Sequence, residues 1–340
     1  MKVSVIVPVY NGGRYLKGLY SALLEQTIQD FEIVFVNDGS TDDSLKILEK
    51  IKEQDSRVVL VNKTNGGICS ARNAGICASK GEYLVFLDQD DGIDNLLIER
   101  YKDVLEDSKA DMAVFGKIHH YIDNEKIVSV SNESFDDVIV QDTDLLRQLI
   151  LNVDNKNRFS TIWNCIYKSN IVKNENILFD EHFKHGDEDG MFNAEYVLKV
   201  NRVAFSSECH YKYYLRNNQS TISKPNNNLI VDYLYFINKL KFLLGDNNYD
   251  LFCVFALRFF SNVYKRYCRF NNGKEKKVLF LNSVMKDSCF RTVINYSCFF
   301  SSVSSLYWSV YCFMMRNNIK NVCIWMLDLI LFLKRVKGQK

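Results

Sequence analysis

Proline is nearly absent, with two residues in 340, which leaves little room for Pro-rich linkers. The ten cysteines contain no Cys-x-x-Cys pair, the closest two being Cys69 and Cys77. That excludes a zinc ribbon or dithiol redox centre and fits reduced thiols in a cytosolic compartment. Neither a Gly-x-Gly-x-x-Gly fingerprint nor a Gly-rich, Lys-containing phosphate loop follows the first strand-like run, which disfavours an NAD-dependent oxidoreductase and a nucleotidyltransferase. The N-terminus enters a strand directly, without the charged, apolar and cleavage regions of a signal peptide. The expectation is a cytoplasmic protein.

Hydrophobic content of 47% and charged content of 25% are ordinary for a folded chain. The net charge of +2 hides an asymmetry. Residues 1–224 carry 26 Lys+Arg against 35 Asp+Glu, whereas residues 225–340 carry 17 against 6, a net of +11. All five histidines lie in the acidic part. A basic tail points to a polyanion such as an anionic membrane surface or nucleic acid. Of these the expectation keeps an anionic membrane surface as a candidate partner and no nucleic acid.

Apolar β-rich runs alternate with helical spacings over the first ~115 residues, the pattern of a doubly wound α/β domain. The first strand, Lys2 to Tyr10, is expected to end at Pro8 and the turn Asn11-Gly12-Gly13. Phe31 to Val36 runs into Asn37-Asp38-Gly39-Ser40-Thr41-Asp42, where Ser40 or Thr41 is expected to cap the next helix. After Val58 to Val61 comes Asn65-Gly66-Gly67, a turn permitting φ > 0, followed by a helix bearing Arg72. The run Tyr83 to Leu87 then meets Asp88-Gln89-Asp90-Asp91. In open α/β sheets, ligands bind beyond the carboxyl ends of strands, so this cluster reads either as a hard-cation site or as solvated turn and cap residues. Asp111 to Phe115 is a fifth strand, Gly116 to Val140 an antiparallel or irregular insertion, and His210 to Leu215 an aromatic strand. Asp187, Glu188 and Asp189 open a helix, where carboxylates ordinarily complement the dipole.

Taken together, Pro8-Val9-Tyr10-Asn11, Asn37 to Asp42, Asn65-Gly66-Gly67 with Ala71 to Gly75, Asp88-Gln89-Asp90-Asp91 and Glu188-Asp189-x-x-Phe192 resemble family 2 glycosyltransferases. The branch it looks like comprises bacterial enzymes that extend capsular, exopolysaccharide or O-antigen units. Trp163-Asn164-x-x-Tyr167-Lys168 and Tyr213-x-x-Arg216 are also typical of that branch. The match covers roughly residues 1 to 223.

The resemblance implies a GT-A fold, α/β and Rossmann-like, with a mostly parallel sheet and helices on both faces, plus a C-terminal helical region. A catalytic domain over 1–224 divides into a nucleotide-sugar half to about residue 115 and an acceptor half beyond it. The implied chemistry is inverting transfer from a nucleotide-sugar, most simply a UDP-sugar, to a saccharide or lipid-linked saccharide. Asp38 looks like the uracil-binding acid, with Pro8, Tyr10 and Asn65 around the nucleoside and Arg72 near base and phosphates. Asp88 resembles the ribose- or metal-side acid, and Asp90 the direct ligand of Mn²⁺ or Mg²⁺. Asp189 resembles the catalytic base, with Glu188 its substitute, and Arg216 a further diphosphate contact. Asp91 is left as a cap for the following helix. His210 is open between a metal or diphosphate contact and a structural role. The Gln-x-x-Arg-Trp motif of processive members is missing, which favours single addition. A non-catalytic nucleotide-sugar sensor or scaffold is the alternative from another class.

Beyond Pro225, apolar and cationic clusters alternate and helices are expected. Neither Thr292 to Met315, rich in Ser, Asn and Tyr, nor Val322 to Leu333, short and interrupted by Asp328, makes a good membrane span. A helical bundle with a solvated basic face and a peripheral membrane platform both fit, and they are compatible.

Overall fold

The structure, a computed structural model, describes residues 2–124, 126–152, 156–184, 186–216, 226, 228–246, 248–271 and 273–297, together with 312, 315–317, 323, 324, 327 and 328. The chain divides into two compact units, one of residues 1–150 and 154–224, the other of residues 151–153 and 225–340.

In the first unit the elements run β1 (Val3–Val9), α1 (Gly13–Leu24), β2 (Phe31–Asp38), α2 (Ser44–Gln54), β3 (Val58–Lys63), α3 (Ile68–Ala78) and β4 (Tyr83–Phe86). They continue through β5 (Gly92–Ile93), α4 (Leu97–Asp107), β6 (Met112–Asp123), β7 (Lys126–Glu133), β8 (Val138–Val140) and α5 (Thr143–Ile150). The unit closes with β9 (Cys165–Lys168), α6 (Ser169–Asn174), α7 (Glu188–Val197) and β10 (Val203–Arg216). The ten strands form one sheet in the order β3-β2-β1-β4-β9-β6-β10-β5, with β7 on β6 and β8 on β10. Strands β3, β2, β1 and β4 are parallel, and β9 enters antiparallel between β4 and β6. The insertion expected over Gly116 to Val140 comprises the outer part of β6, β7 antiparallel to it, and β8 antiparallel to β10.

β1 explains why its sequence is apolar throughout. Val3, Val5, Val7 and Val9 join the main core cluster on one face, while Ile6 on the other meets α3 at Gly75. Both faces are covered, as buried parallel strands require. Pro8 does not end the strand as expected. It lies inside β1 opposite Val36, beyond the last β1–β4 pair at Ile6 and Phe86, so no bond to β4 is lost.

The expected cap at Ser40 or Thr41 is also corrected. α2 begins later, and the Asp42 carboxylate accepts from the Ser44 N–H and hydroxyl. Ser40 Oγ accepts from the Asn11 N–H instead, and Thr41 donates through N–H and hydroxyl to Asn11 Oδ1. These two residues join the turn after β2 to the turn after β1.

The second unit contains α8 (Leu229–Leu244), α9 (Tyr249–Phe270), α10 (Lys274–Val284) and α11 (Ser288–Ser297). Its core is aromatic, with Phe260 facing Phe280 and Phe290 across the helices. Most of Thr292 to Met315 and of Val322 to Leu333 lies outside the described residues. Among the described residues no helix is long and apolar enough to cross a membrane.

The contact of α3 with the sheet generates a test. A Cβ added at Gly75 would lie 2.3 Å from Cγ2 of the fully buried Ile6. Gly75→Ala would ordinarily favour a helix by about 1 kcal/mol. Here overpacking should reverse the sign and destabilise the first unit by about 1–3 kcal/mol, read by chemical denaturation.

Candidate active site

The parallel strands end on one side of the sheet, and the acidic turn after β4 sits there. Gln89 fastens it to the end of β1: its amide accepts from the Tyr10 N–H and donates to the Tyr10 carbonyl, each at 3.1 Å. Gly12 is required beside it, because a Cβ there would overlap the Gln89 side chain at 1.9 Å. Tyr10 itself is exposed.

Arg72 lies at the centre. Gly67, at φ +87°, turns the chain into α3, and the helix buries Arg72 to 3% exposure. Its Nη1 donates to Asp189 Oδ1 at 2.8 Å and to Glu188 Oε1 at 3.0 Å, while Nη2 donates to Asp88 Oδ1 at 3.1 Å. The ring of Phe179 lies 5.1 Å from the guanidinium carbon and stacks on Phe192 of α7. Gly186 at φ +115° and Asp187 at φ +73° steer the chain so that the first turn of α7 presents Glu188 and Asp189 to the arginine. Thus three carboxylates from two separate motifs meet on one guanidinium, itself from a third. Burial raises the Asp189 carboxyl to about 8, with Glu188 and Asp88 adding to the shift and Arg72 opposing it.

Asp90 points elsewhere. Arg216, at the end of β10, donates through Nη1 to Asp90 Oδ2 at 3.0 Å and through Nη2 to the Asp90 carbonyl at 2.6 Å. Burial, with the neighbouring Asp88, raises the Asp90 pKa from the usual carboxylate value. The cap assigned to Asp91 is corrected: its buried carboxylate accepts from the Tyr211 hydroxyl at 2.8 Å and the Tyr214 N–H at 2.9 Å. The same Tyr211 hydroxyl accepts from the Asp88 N–H at 3.3 Å. β10 therefore holds the acidic turn through Asp91 and Arg216 together.

On the other side of β1, the Asp38 carboxylate is buried and occupied. It accepts from the Gly66 and Gly67 N–H groups at 2.9 and 2.8 Å and from Lys63 Nζ at 2.7 Å. Asn65 donates to the Asp38 carbonyl at 3.0 Å and is exposed. Asp38 thus shapes the Asn65-Gly66-Gly67 loop. Pro8 is buried within β1. His210 takes its structural role: Nδ1 lies 2.9 Å from Asp94 and Nε2 2.7 Å from Glu208, which Arg100 also grips. Burial opposes protonation there, but those two carboxylates outweigh it and raise the imidazole pKa.

Among the described residues, no group of three His, Cys, Asp or Glu side chains is arranged to hold a metal ion on its own. The donor set still fits Mn²⁺ or Mg²⁺ of the substrate-sharing kind, which needs only one or two carboxylates beside phosphate oxygens and waters. Asp88 and Asp90 supply hard oxygens, and their side chains keep 30% and 42% exposure.

Gln89, Lys63 and Tyr211 were missed by sequence reasoning. Gln89 stands inside the acidic motif and Lys63 just before the Gly-Gly turn, so proximity to a motif was their only signal. Removing the central cation is the direct test. Arg72→Met leaves three close carboxylates unpaired and should cost about 3–5 kcal/mol. In chemical denaturation that deficit should be larger at pH 8 than at pH 5, where the Asp189 carboxyl, raised further by the loss of the arginine, takes up a proton.

A model of the family described as Glycosyl transferase family 2 matches residues 4–174, half of the chain. Similar curated proteins include the uncharacterized glycosyltransferase EpsJ of Bacillus subtilis, 31% identical over 65% of this chain and 63% of its own length. Another is the poly(ribitol-phosphate) beta-N-acetylglucosaminyltransferase TarS of Staphylococcus aureus, 31% identical over 63% of this chain and 35% of its length. The chain thus spans less than two thirds of the length of these relatives. Its structure is similar to residues 1–349 of S. aureus TarS solved with UDP-GlcNAc, with a TM-score of 0.73 and 20% identity over 96% of this chain and 91% of that one, which shows the fold. With the family model covering half of the chain, it belongs to glycosyl transferase family 2.

Proposed function

We propose that this chain is an inverting, non-processive, metal-dependent glycosyltransferase. It moves a hexosyl or N-acetylhexosaminyl group from a UDP-sugar to a hydroxyl of a saccharide or lipid-linked saccharide in bacterial surface polysaccharide synthesis. The observation that carries this reading is the Arg72 cluster, which joins Asp88 of the acidic turn to Glu188 and Asp189. The UDP-GlcNAc complex of S. aureus TarS supports the choice of donor.

Each group has a role in this reading. The base lies between exposed Tyr10 and Asn65, in a pocket whose loop Asp38 and Lys63 hold in place. Asp88 and Asp90 hold Mn²⁺ or Mg²⁺, which when bound offsets the charge growing on the departing diphosphate. Arg216 serves the same diphosphate. The acceptor hydroxyl is a poor nucleophile and needs a base in reach on the face opposite the leaving group. Asp189 takes that proton, and Arg72 fixes its orientation. A carboxylate with a raised pKa is a stronger base than an ordinary one, so burial serves the chemistry.

Asp189→Asn keeps the shape and removes the base. It should retain UDP binding while lowering transfer by about 10²–10⁴-fold, measured as UDP release with a panel of UDP-sugars and Mn²⁺ or Mg²⁺. A sensor or scaffold would show no turnover for the variant to lose. In the wild type, kcat/KM should rise with pH as Asp189 loses its proton, with the limb well above the ordinary carboxylate range. A limb near pH 4 would remove Asp189 as the base.

The second unit is proposed to rest on an anionic membrane surface. The support is its net charge of +11 together with exposed apolar side chains, above all Phe242 at 85% exposure and Leu279 at 62%. Sedimentation with anionic liposomes should show binding at low salt that weakens at high salt. No binding at low salt would sink the membrane reading and leave the transferase reading standing.

A further inference from the structure

The two carboxylates assigned to the metal are held by arginines of very different freedom. Arg72, on Asp88, is buried and also fixed by Glu188 and Asp189. Arg216, on Asp90, has that residue as its one ion-pair partner among the described residues. Among the described residues its guanidinium carbon also lies 5.0 Å from the centre of Tyr15 and 5.3 Å from that of Tyr214. Asp90 keeps 42% of its side chain exposed, so an ion can approach it. Arg216 keeps 17% of its side chain exposed against 3% for Arg72, and among the described residues its ring contacts guide the arm without adding a second charged partner.

We propose that Arg216 is a stand-in cation for Asp90, one that gives way to a divalent ion arriving with the nucleotide and then turns to the diphosphate. The proposal rests on the assignment of Asp90 as a metal ligand and deepens it. Arg216 takes Asp90 Oδ2, one of the two carboxylate oxygens Asp90 offers an ion, and its positive charge repels a second cation. The diphosphate carries the charge that draws the guanidinium away. Arg216 therefore acts with opposite signs on two bindings. It weakens the divalent ion alone and strengthens the nucleotide in the presence of the ion. An arginine that only binds diphosphate would do the second and not the first, and a purely structural one would do neither.

The separation is measurable without turnover. Mn²⁺ binding is read by electron paramagnetic resonance of the free ion, first without nucleotide and then with saturating UDP. UDP affinity in the presence of Mn²⁺ is read by calorimetry. R216Q should bind Mn²⁺ alone about five- to twentyfold more tightly than the wild type, a coupling of ordinary size. The same variant should bind UDP with Mn²⁺ about tenfold more weakly, from loss of one charged diphosphate contact. R216K keeps the charge and should stay near the wild type for Mn²⁺ alone; R216M replaces R216Q if the latter does not fold. R216Q that binds Mn²⁺ no more tightly than the wild type, including the case in which neither binds, overturns the stand-in. D90N tests the premise separately. If it holds Mn²⁺ in the UDP complex as well as the wild type does, Asp90 is not a ligand and both assignments fall. If D90N loses Mn²⁺ while R216Q gains nothing, the ligand stands and only the stand-in fails.

Discussion

One buried guanidinium facing three carboxylates is the constraint on which this site depends. Arg72 carries a single charge, yet Asp88, Glu188 and Asp189 all lie within 3.1 Å of its Nη atoms. The surplus of negative charge in a dry setting is unfavourable unless another cation shares it. That imbalance is what makes the cluster chemically useful. Burial, with Glu188 and Asp88 adding to it and Arg72 opposing it, holds the Asp189 carboxyl above the ordinary range, as the proposed base requires. Much of the surrounding architecture serves to place this arginine. Gly67 turns the chain into α3, Gly75 brings the helix onto the sheet, and Phe179 and Phe192 pack beneath the guanidinium.

β10 supplies the second anchor. Tyr211 and the Tyr214 amide hold Asp91, and Arg216 holds Asp90, so consecutive residues of the acidic turn are tied to a strand some 120 positions away. Their burial differs. Asp91 is enclosed, with a hydrogen bond to each carboxylate oxygen, while Asp90 keeps 42% of its side chain exposed. Asp88 belongs to both systems, through Arg72 and through its N–H to Tyr211.

The strand ends were legible in the sequence because each motif interrupts a strong apolar run, and burial on both faces makes such runs hard to misread. The acidic turn stood out for the same reason, whereas Glu188-Asp189 read locally as an ordinary helix start and was singled out by the family resemblance alone. What their side chains face was not legible. Asp91 was read as a local cap because helix capping is a short-range rule, whereas its true partners come from β10. Ser40 and Thr41 were misread likewise, their bonds going to Asn11 rather than forward into α2. Asp38 shows the opposite difficulty: it was singled out for a ligand, and the fold engages its carboxylate in the loop that shapes the pocket. Pairings across a hundred residues leave no trace in periodicity or spacing.

The central claim is that Asp189 and the acidic turn flank one reacting carbon, with base and leaving group on opposite faces. The stereochemistry of the product tests this most directly. Proton NMR of the glycoside formed from an α-linked UDP-sugar that the chain accepts should show a β-configured anomeric centre from the first turnovers. An α-configured product would contradict in-line displacement and with it the role given to Asp189.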